Sequence, residues 1–221
     1  MRPSSTRTLD TTCWARSSKW QVDEVAQRLV DRGELQPMIV VAVASTATRI
    51  DDYTAVAMQR ANRISRQPSG CGAVAYGRYL VQKSKPLIDA RFRTLTGRAD
   101  TALGGSSLVG LVTMSLLLEH GDVFGAGLVV SPSVWWADGE IVRRVASHRA
   151  DAPWSRIWPD LGLAEGDGAV AGARQLPAAL MARGWRPAYR EEPGAGHDEA
   201  TWAAQVEPML RRWCGPAVPS R

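Results

Sequence analysis

The seven residues GGSSLVG, Gly104–Gly110, decide how this sequence is interpreted. Apolar runs flank them on both sides, a short one before and a longer one after. Two apolar runs joined by a turn of small residues are typical of a buried strand that leads directly into a helix. The sequence therefore predicts a strand over Thr101–Gly104, a sharp turn at Ser107 and a helix over Ser107–His120.

The rest of the chain alternates between strand patterns and helix patterns. Further strands are predicted over Pro37–Ser45, Ala126–Ser131, Arg156–Gly162 and Arg186–Pro193. Further helices are predicted over Val22–Leu29, Tyr79–Phe92, Ala169–Arg183 and Ala200–Trp213, with Pro86, Pro177 and Pro208 expected to bend or interrupt them. Strands that alternate with helices form a mostly parallel sheet with helices on both faces. The predicted fold class is α/β, in a single domain over residues 1–221.

Composition and charge exclude several classes of protein. The 221 residues carry a net charge of +5, but the basic residues are scattered, which indicates a solvated surface and no nucleic-acid partner. No apolar run approaches the roughly 18 to 20 residues that span a bilayer, so no membrane segment is expected. The first twenty residues lack the apolar core of a secretory signal, which predicts a cytoplasmic protein. Cys13, Cys71 and Cys214 lack the spacing of metal ligands, so neither a metal nor a cofactor is expected.

Three predicted strand ends carry reactive side chains. Ser107 follows the first of these strands, Glu165 and Asp167 follow the Arg156–Gly162 strand, and His197 follows the last. Function in parallel sheets collects at the carboxyl ends of the strands. The chain order serine, acid, histidine is that of the α/β-hydrolase catalytic triad.

The chemistry of a triad needs each of these residue types. A serine hydroxyl is a weak nucleophile at neutral pH and needs a neighbouring base, a role that suits histidine. A carboxylate orients the imidazole and stabilises its protonated form. The amide of Leu108, directly after the serine, is expected to donate to the oxyanion. The residues alone leave Glu165 and Asp167 as alternative acids.

Seven stretches resemble, in the same order, the esterase D and enterochelin-esterase-like group of α/β-hydrolases. They are WQVDE, ELQPMIVVAVAS, TRIDDYT, KPLIDARFRT, GGSSLVGL, FGAGLVVSPSVWW and EEPGAGHDEATW. The resemblance implies Ser107 as nucleophile, Glu165 as acid and His197 as base, with Asp167 as the alternative acid. It also implies a metal-independent ester hydrolase that works through an acyl-enzyme. The adjacent Trp135 and Trp136 are expected to line an apolar acyl or aryl pocket.

Two departures from the group's pattern affect the expected activity. Val109 occupies the position of a glycine two residues after the nucleophile, where a β-branched side chain is expected to strain the turn. The strand and D-G loop that supply the second oxyanion donor would fall near Ser4–Ser5 or before the chain begins, so the chain resembles a fold shortened at its amino end. An exposed sheet edge there favours a homodimer.

The sequence supports a serine carboxylesterase acting on small or medium acyl esters. Its alternative is a catalytically weak or inactive hydrolase-fold protein that binds a ligand or partner. An acyltransferase on the same fold is a third hypothesis, which requires a site that excludes water and holds an acceptor.

Overall fold

Helix α5 (Leu108–Glu119) lies between two strands in sequence and packs on both of them in the computed structural model of the protein. The structure describes residues 20–58, 70–148 and 156–214. Nine of the twelve residues of α5 are buried. The helix is apolar nearly all round, and such a helix is stable only inside a core. It packs on both β1 (Ala102–Ser106) and β2 (Ala126–Val130).

Two more strands complete the described sheet. β3 (Ile157–Gly162) pairs with β2, and β4 (Arg190–Glu192) pairs with β3, giving the order β1-β2-β3-β4. All three pairings are parallel. The parallel sheet with its connecting helices confirms the predicted α/β class, and the strands predicted at these four places are confirmed.

Strand β3 accommodates a proline in its middle. It pairs with β2 over residues 157–159 and with β4 over residues 160–162, so its partner changes directly after Pro159. Proline has no N–H to donate and is tolerated where a ladder ends. This arrangement explains how a strand that is buried along its whole length contains Pro159.

The helices agree with the predicted positions and extend them. They are α1 (Val22–Asp31), α2 (Arg49–Asp52), α3 (Ala73–Tyr79), α4 (Lys85–Arg91), α6 (Glu140–Ser147), α7 (Asp167–Ala173), α8 (Gln175–Ala182) and α9 (Glu199–Cys214). A π-helical turn over Leu80–Ser84 joins α3 to α4, and Pro86 lies in the first turn of α4.

The other two prolines behave differently from each other. The helix predicted over Ala169–Arg183 is divided into α7 and α8, and Pro177 lies in the first turn of α8, where a missing N–H costs least. Helix α9 runs through Pro208 without ending, so Pro208 does not interrupt it, and a bend at this position stays a prediction.

The strand predicted over Pro37–Ser45 was wrong. This run has no regular secondary structure, and its residues are half-buried or exposed. β-branched residues form a strand only when a neighbouring strand pairs with them, because β-propensity depends on cross-strand packing. No strand within the described ranges pairs with the run.

Contacts divide the chain into two compact units, one of residues 45–197 and one of residues 1–44 with 198–221. The first contains the whole sheet. In the second, α1 packs against α9, and the rings of Trp20 and Trp202 lie 5.8 Å apart. The single domain over residues 1–221 stays a prediction.

Some sequence-based expectations concern residues outside the described ranges, namely Cys13 and the Ser4–Ser5 stretch. Within those ranges, no helix combines the length and the apolarity that crossing a bilayer requires. Strand β1 pairs there with β2 only, and dimerisation through its other edge stays a prediction.

We expect replacement of Leu117 by alanine to destabilise the protein by about 2–5 kcal/mol, because it leaves a cavity in the core. Leu117 is fully buried in α5 against Gly127 of β2, whose missing Cβ makes room for it. Urea unfolding measures the change. Leu95→Ala is the control, since Leu95 is 74% exposed and its removal should cost less than about 0.5 kcal/mol. Equal costs for the two variants would contradict the described packing.

Candidate active site

Ser107 lies at a sharp turn between β1 and α5 with a backbone φ of +58°. A side chain in this region costs about 1–3 kcal/mol and persists only when its surroundings enforce it. The surroundings here are the end of β2. The Ser107 N–H donates to the Val130 carbonyl over 3.0 Å, and the Ser133 N–H donates to the Ser107 carbonyl over 3.1 Å.

Val109 is accommodated by a glycine on the other side of the turn. A Cβ on Gly105 would lie 2.6 Å from the Val109 Cβ, closer than real Cβ atoms approach each other. Because Gly105 has no Cβ, the Val109 side chain occupies this space. Gly110 has a similar role, since a Cβ there would lie 2.8 Å from the Val130 carbonyl oxygen. The expected collision of Val109 with the backbone is therefore avoided at Gly105.

The acid and the histidine lie on two loops that hydrogen bond to each other. The Ala164 N–H donates to the Ala195 carbonyl over 2.9 Å, and the Leu163 N–H donates to the Glu192 carbonyl over 3.1 Å. The loops approach this closely because Gly162 has no Cβ, which would overlap the Ala195 carbonyl. The loop after β3 and the loop after β4 thus form one rigid pair.

Ser107, His197 and Glu165 form a continuous line of hydrogen bonds. His197 Nε2 lies 2.9 Å from Ser107 Oγ, and His197 Nδ1 lies 2.8 Å from Glu165 Oε2. In the neutral imidazole that this order requires, Nδ1–H donates to the carboxylate and Nε2 accepts from the serine hydroxyl. This is the relation of nucleophile, base and orienting acid in serine hydrolases.

The environment keeps Glu165 ionised. Burial favours its neutral form, but hydrogen bonds from His197, from the Ser131 hydroxyl and from the Gly162 N–H outweigh burial and lower its pKa. The Gly162 N–H reaches Glu165 Oε1 over 3.1 Å. The Glu165 side chain is 6% exposed and that of His197 is 41% exposed. The site thus has a buried acid and a base that solvent reaches.

The alternative acid, Asp167, belongs to helix α7 and not to the loop that holds Glu165. It is the exposed first residue of α7, where its charge complements the positive end of the helix dipole. Asp198, the neighbour of His197, caps α9 by accepting from the Ala200 and Thr201 N–H groups over 3.0 Å each. Glu165 is therefore the carboxylate for which contact with His197 is described.

The other expected site residues are Leu108, directly after Ser107, and Trp135 and Trp136, which follow β2. The Leu108 amide is the first N–H of α5, so α5 offers it no acceptor. Trp136 is 2% exposed and its indole donates to the Val56 carbonyl over 2.8 Å, which makes it part of the core. Trp135 is 46% exposed, with its ring 5.9 Å from that of Trp136. Of the two indoles, Trp135 is the one that offers surface to a ligand.

Sequence reasoning missed three polar residues around the triad. Ser131 and Ser133 belong to the end of β2 and the turn that follows it, residues 130–133, which we call the Ser131 turn. The Ser133 hydroxyl lies 3.3 Å from Ser107 Oγ, and the Ser131 hydroxyl lies close enough to Glu165 to lower the pKa of that carboxyl. Asp160 of β3 accepts from the Ser131 N–H over 2.8 Å. Its only sequence signal was an acid inside an otherwise apolar strand.

Comparison with known proteins identifies the family of the chain. The family model described as "Putative esterase" matches residues 7–213, which is nearly the whole chain. The chain belongs to the esterase family. It is thus a carboxylic ester hydrolase, and the resemblance to the enterochelin-esterase-like group is confirmed.

Solved structures of similar proteins show the same fold. The esterase resembles the BES protein of Bacillus cereus with a TM-score of 0.67 at 18% identity, covering 89% of this chain and 77% of that one. A siderophore hydrolase, EstA of Aspergillus nidulans, gives 0.66 at 18%, covering 86% and 78%. The enterobactin esterase FES of Shigella flexneri gives 0.66 at 19%, covering 87% of this chain but 50% of that one. At these identities the likeness concerns the fold.

Replacement of Gly105 by alanine should destabilise the esterase by about 1–3 kcal/mol, because the new Cβ meets Val109. In a Val109→Gly background the same change should cost at least about 1 kcal/mol less, since the two residues are in contact. Denaturant unfolding of the four proteins of this double-mutant cycle measures the coupling.

The control for this cycle is Gly97→Ala, where the nearest atom to the new Cβ lies 3.6 Å away, at Asp100. It should be nearly neutral in both backgrounds. Independent costs of Gly105→Ala and Val109→Gly would show that Val109 does not depend on the missing Cβ.

The buried Asp160 should make stability depend on pH. Burial raises its pKa from 3.8 to about 6, against hydrogen bonds from Ser131 and Trp158 that lower it. A raised folded-state pKa stabilises the protein below the unfolded-state value, and this contribution is lost as pH rises to about 6. Relative to Asp160→Asn, the wild type should lose on the order of 2–3 kcal/mol between pH 4 and pH 7. Unfolding curves across this range measure the difference, and a constant difference would contradict the raised pKa.

Proposed function

We propose that this esterase is a serine carboxylesterase that hydrolyses small or medium acyl esters through an acyl-enzyme. Ser107 is the nucleophile, His197 the general base and Glu165 the residue that orients the base. The observation that carries the proposal is the unbroken series of hydrogen bonds from Ser107 Oγ through both His197 nitrogens to Glu165.

Acylation begins with a proton transfer from Ser107 to His197. As Ser107 Oγ forms a bond to the ester carbonyl carbon, its proton moves to His197 Nε2, and the carbonyl oxygen becomes an oxyanion. The Glu165 carboxylate stabilises the imidazolium that results. The Leu108 N–H, at the positive end of α5, donates to the oxyanion.

Collapse of this intermediate releases the alcohol. The bond from the carbonyl carbon to the alkoxy oxygen breaks, and His197 gives its proton to that oxygen. Water then gives a proton to His197 and its oxygen forms a bond to the acyl carbon. The bond from that carbon to Ser107 Oγ breaks, and His197 returns its proton to Ser107 Oγ, which releases the acid and restores the free enzyme. Solvent reaches this base directly, since the His197 side chain is 41% exposed.

The substrate class rests on the surroundings of the Ser131 turn. Trp135 follows Ser133 by two residues and presents an aromatic surface to solvent. An exposed indole favours an apolar acyl or aryl group over a charged one. Similar folds carry an enterobactin esterase, a siderophore hydrolase and a ferulic acid esterase, which supports an ester as the substrate.

The first test is hydrolysis of p-nitrophenyl acetate and butyrate. We expect Ser107→Ala and His197→Ala to lower kcat by at least about 1,000-fold, because nucleophile and base act as one unit. A fluorophosphonate should label Ser107, and the label is located by mass spectrometry. Unchanged hydrolysis by Ser107→Ala would overturn the nucleophile, and no hydrolysis by folded wild type would favour the ligand-binding alternative.

The two acids provide a matched comparison. Glu165→Gln should lower kcat by at least about 100-fold, since the base loses its orienting charge. Asp167→Asn should leave kcat within about threefold, because an exposed helix-terminal charge contributes only a few tenths of a kcal/mol to about 1 kcal/mol of stability. The reverse order of effects would assign the acid to Asp167. Circular dichroism verifies that both variants are folded.

A further inference from the structure

We infer that Asp160, which bonds to Ser131 and Trp158, is a positioning residue that holds both the nucleophile and the acid through the Ser131 turn. The inference rests on the proposed function and adds a residue to it. Its basis is the set of hydrogen bonds that links β3 to this turn and this turn to Ser107, with the Ser131 hydroxyl close to Glu165.

Asp160 is the one charged residue of a buried strand. It is 4% exposed, and the strand IWPDLG around it is buried along its whole length. Burying a carboxylate costs free energy unless its oxygens are hydrogen bonded. Oδ1 accepts from the Ser131 N–H over 2.8 Å, and the Trp158 indole lies 3.5 Å from Oδ2. The hydrogen bond from Ser131 thus replaces part of the solvation that Asp160 loses on burial. The same bond anchors the Ser131 turn on β3.

The anchor lies where the backbone ladder between β2 and β3 stops. The last residues in register are Val129 and Pro159. One step further, the acceptor for the Ser131 N–H is the Asp160 carboxylate. Ser131 has a φ of +38°, which a serine adopts only under constraint. The Asp160 carboxylate supplies part of that constraint.

The Ser131 turn contacts both ends of the proposed triad. Its Val130 carbonyl and Ser133 N–H bond to the backbone of Ser107, at 3.0 and 3.1 Å. Its Ser131 hydroxyl lies close enough to Glu165 to lower the pKa of that carboxyl. A shift of this turn therefore moves the nucleophile and the acid together, and a misplacement of about 1 Å costs on the order of 100-fold in rate.

The charge of Asp160 is not what the positioning requires. Glu165 and Glu192 lie near enough to raise its pKa further, beyond the effect of burial, so its negative charge is disfavoured. The Ser131 N–H needs only an acceptor oxygen, which an asparagine amide also supplies. The positioning role can therefore be tested separately from the charge. Asp160→Asn, which keeps an acceptor oxygen and removes the charge, is the conservative variant.

The test compares Asp160→Ala with Asp160→Asn in steady-state hydrolysis of p-nitrophenyl acetate. Alanine leaves the Ser131 N–H without its acceptor, so we expect kcat to fall by at least about tenfold with KM changed less than about threefold. Asparagine should restore kcat to within about threefold of wild type. Ser115→Ala is the control, since it removes a buried hydroxyl on α5 that bonds to Arg144, away from the Ser131 turn.

A second readout does not depend on turnover. The proton between His197 Nδ1 and Glu165 gives a low-field ¹H NMR signal, which should shift or broaden in Asp160→Ala and stay in place in Asp160→Asn and Ser115→Ala. A wild-type kcat and an unmoved signal in Asp160→Ala would overturn the inference, whereas loss of the esterase proposal would appear as hydrolysis unaffected by Ser107→Ala.

A third variant keeps the test decisive if Asp160→Ala does not fold. Ser131→Gly adopts the positive φ without strain, keeps the N–H to Asp160 and removes the hydroxyl from Glu165. It should lower kcat at unchanged KM and shift the low-field signal. An unmoved signal with full kcat in this variant would show that the Ser131 turn does not position the acid.

Discussion

The backbone of Ser107 is held in an unfavourable conformation by two hydrogen bonds from the end of β2, and the site depends on this constraint. The parallel register of β1 and β2 sets it, because Ser106 lies opposite Val130 and the next residue then meets the Val130 carbonyl. Helix α5 begins directly after the turn, so the same register fixes the direction of its first N–H groups. The pairing of β1 with β2, the conformation of Ser107 and the direction of the Leu108 N–H are thus determined together.

Close backbone contacts explain where glycines occur around the site. Gly105 admits the Val109 side chain, Gly110 admits the Val130 carbonyl, and Gly162 admits the Ala195 carbonyl. The first contact lies within the turn at Ser107, the second joins the start of α5 to β2, and the third joins the loops that carry Glu165 and His197. The side chains of Ser107, Glu165 and His197 meet because their backbones are allowed to approach, and the hydrogen bonds between them then select one arrangement.

Local patterns predicted the strand, turn and helix around Ser107, and the order of serine, acid and histidine predicted the triad candidates. They wrongly predicted a strand over Pro37–Ser45. An apolar run forms a strand only beside a neighbouring strand, and the whole fold determines which strands are neighbours. The contact that distinguishes Glu165 from Asp167 joins His197 to a residue 32 positions away in sequence, which local patterns do not predict. The hydrogen bond between Asp160 and Ser131 likewise joins residues 29 positions apart.

The contact between Gly105 and the Val109 side chain has a consequence for how related esterases are identified from sequence. The pattern G-x-S-x-G treats its two glycines as separate requirements, whereas the structure shows that they share one volume. A bulky residue at one of these two positions is tolerated when the other position is glycine. Motif scans that demand both glycines would overlook chains of this kind, and a rule that limits the combined size of the two positions would retain them.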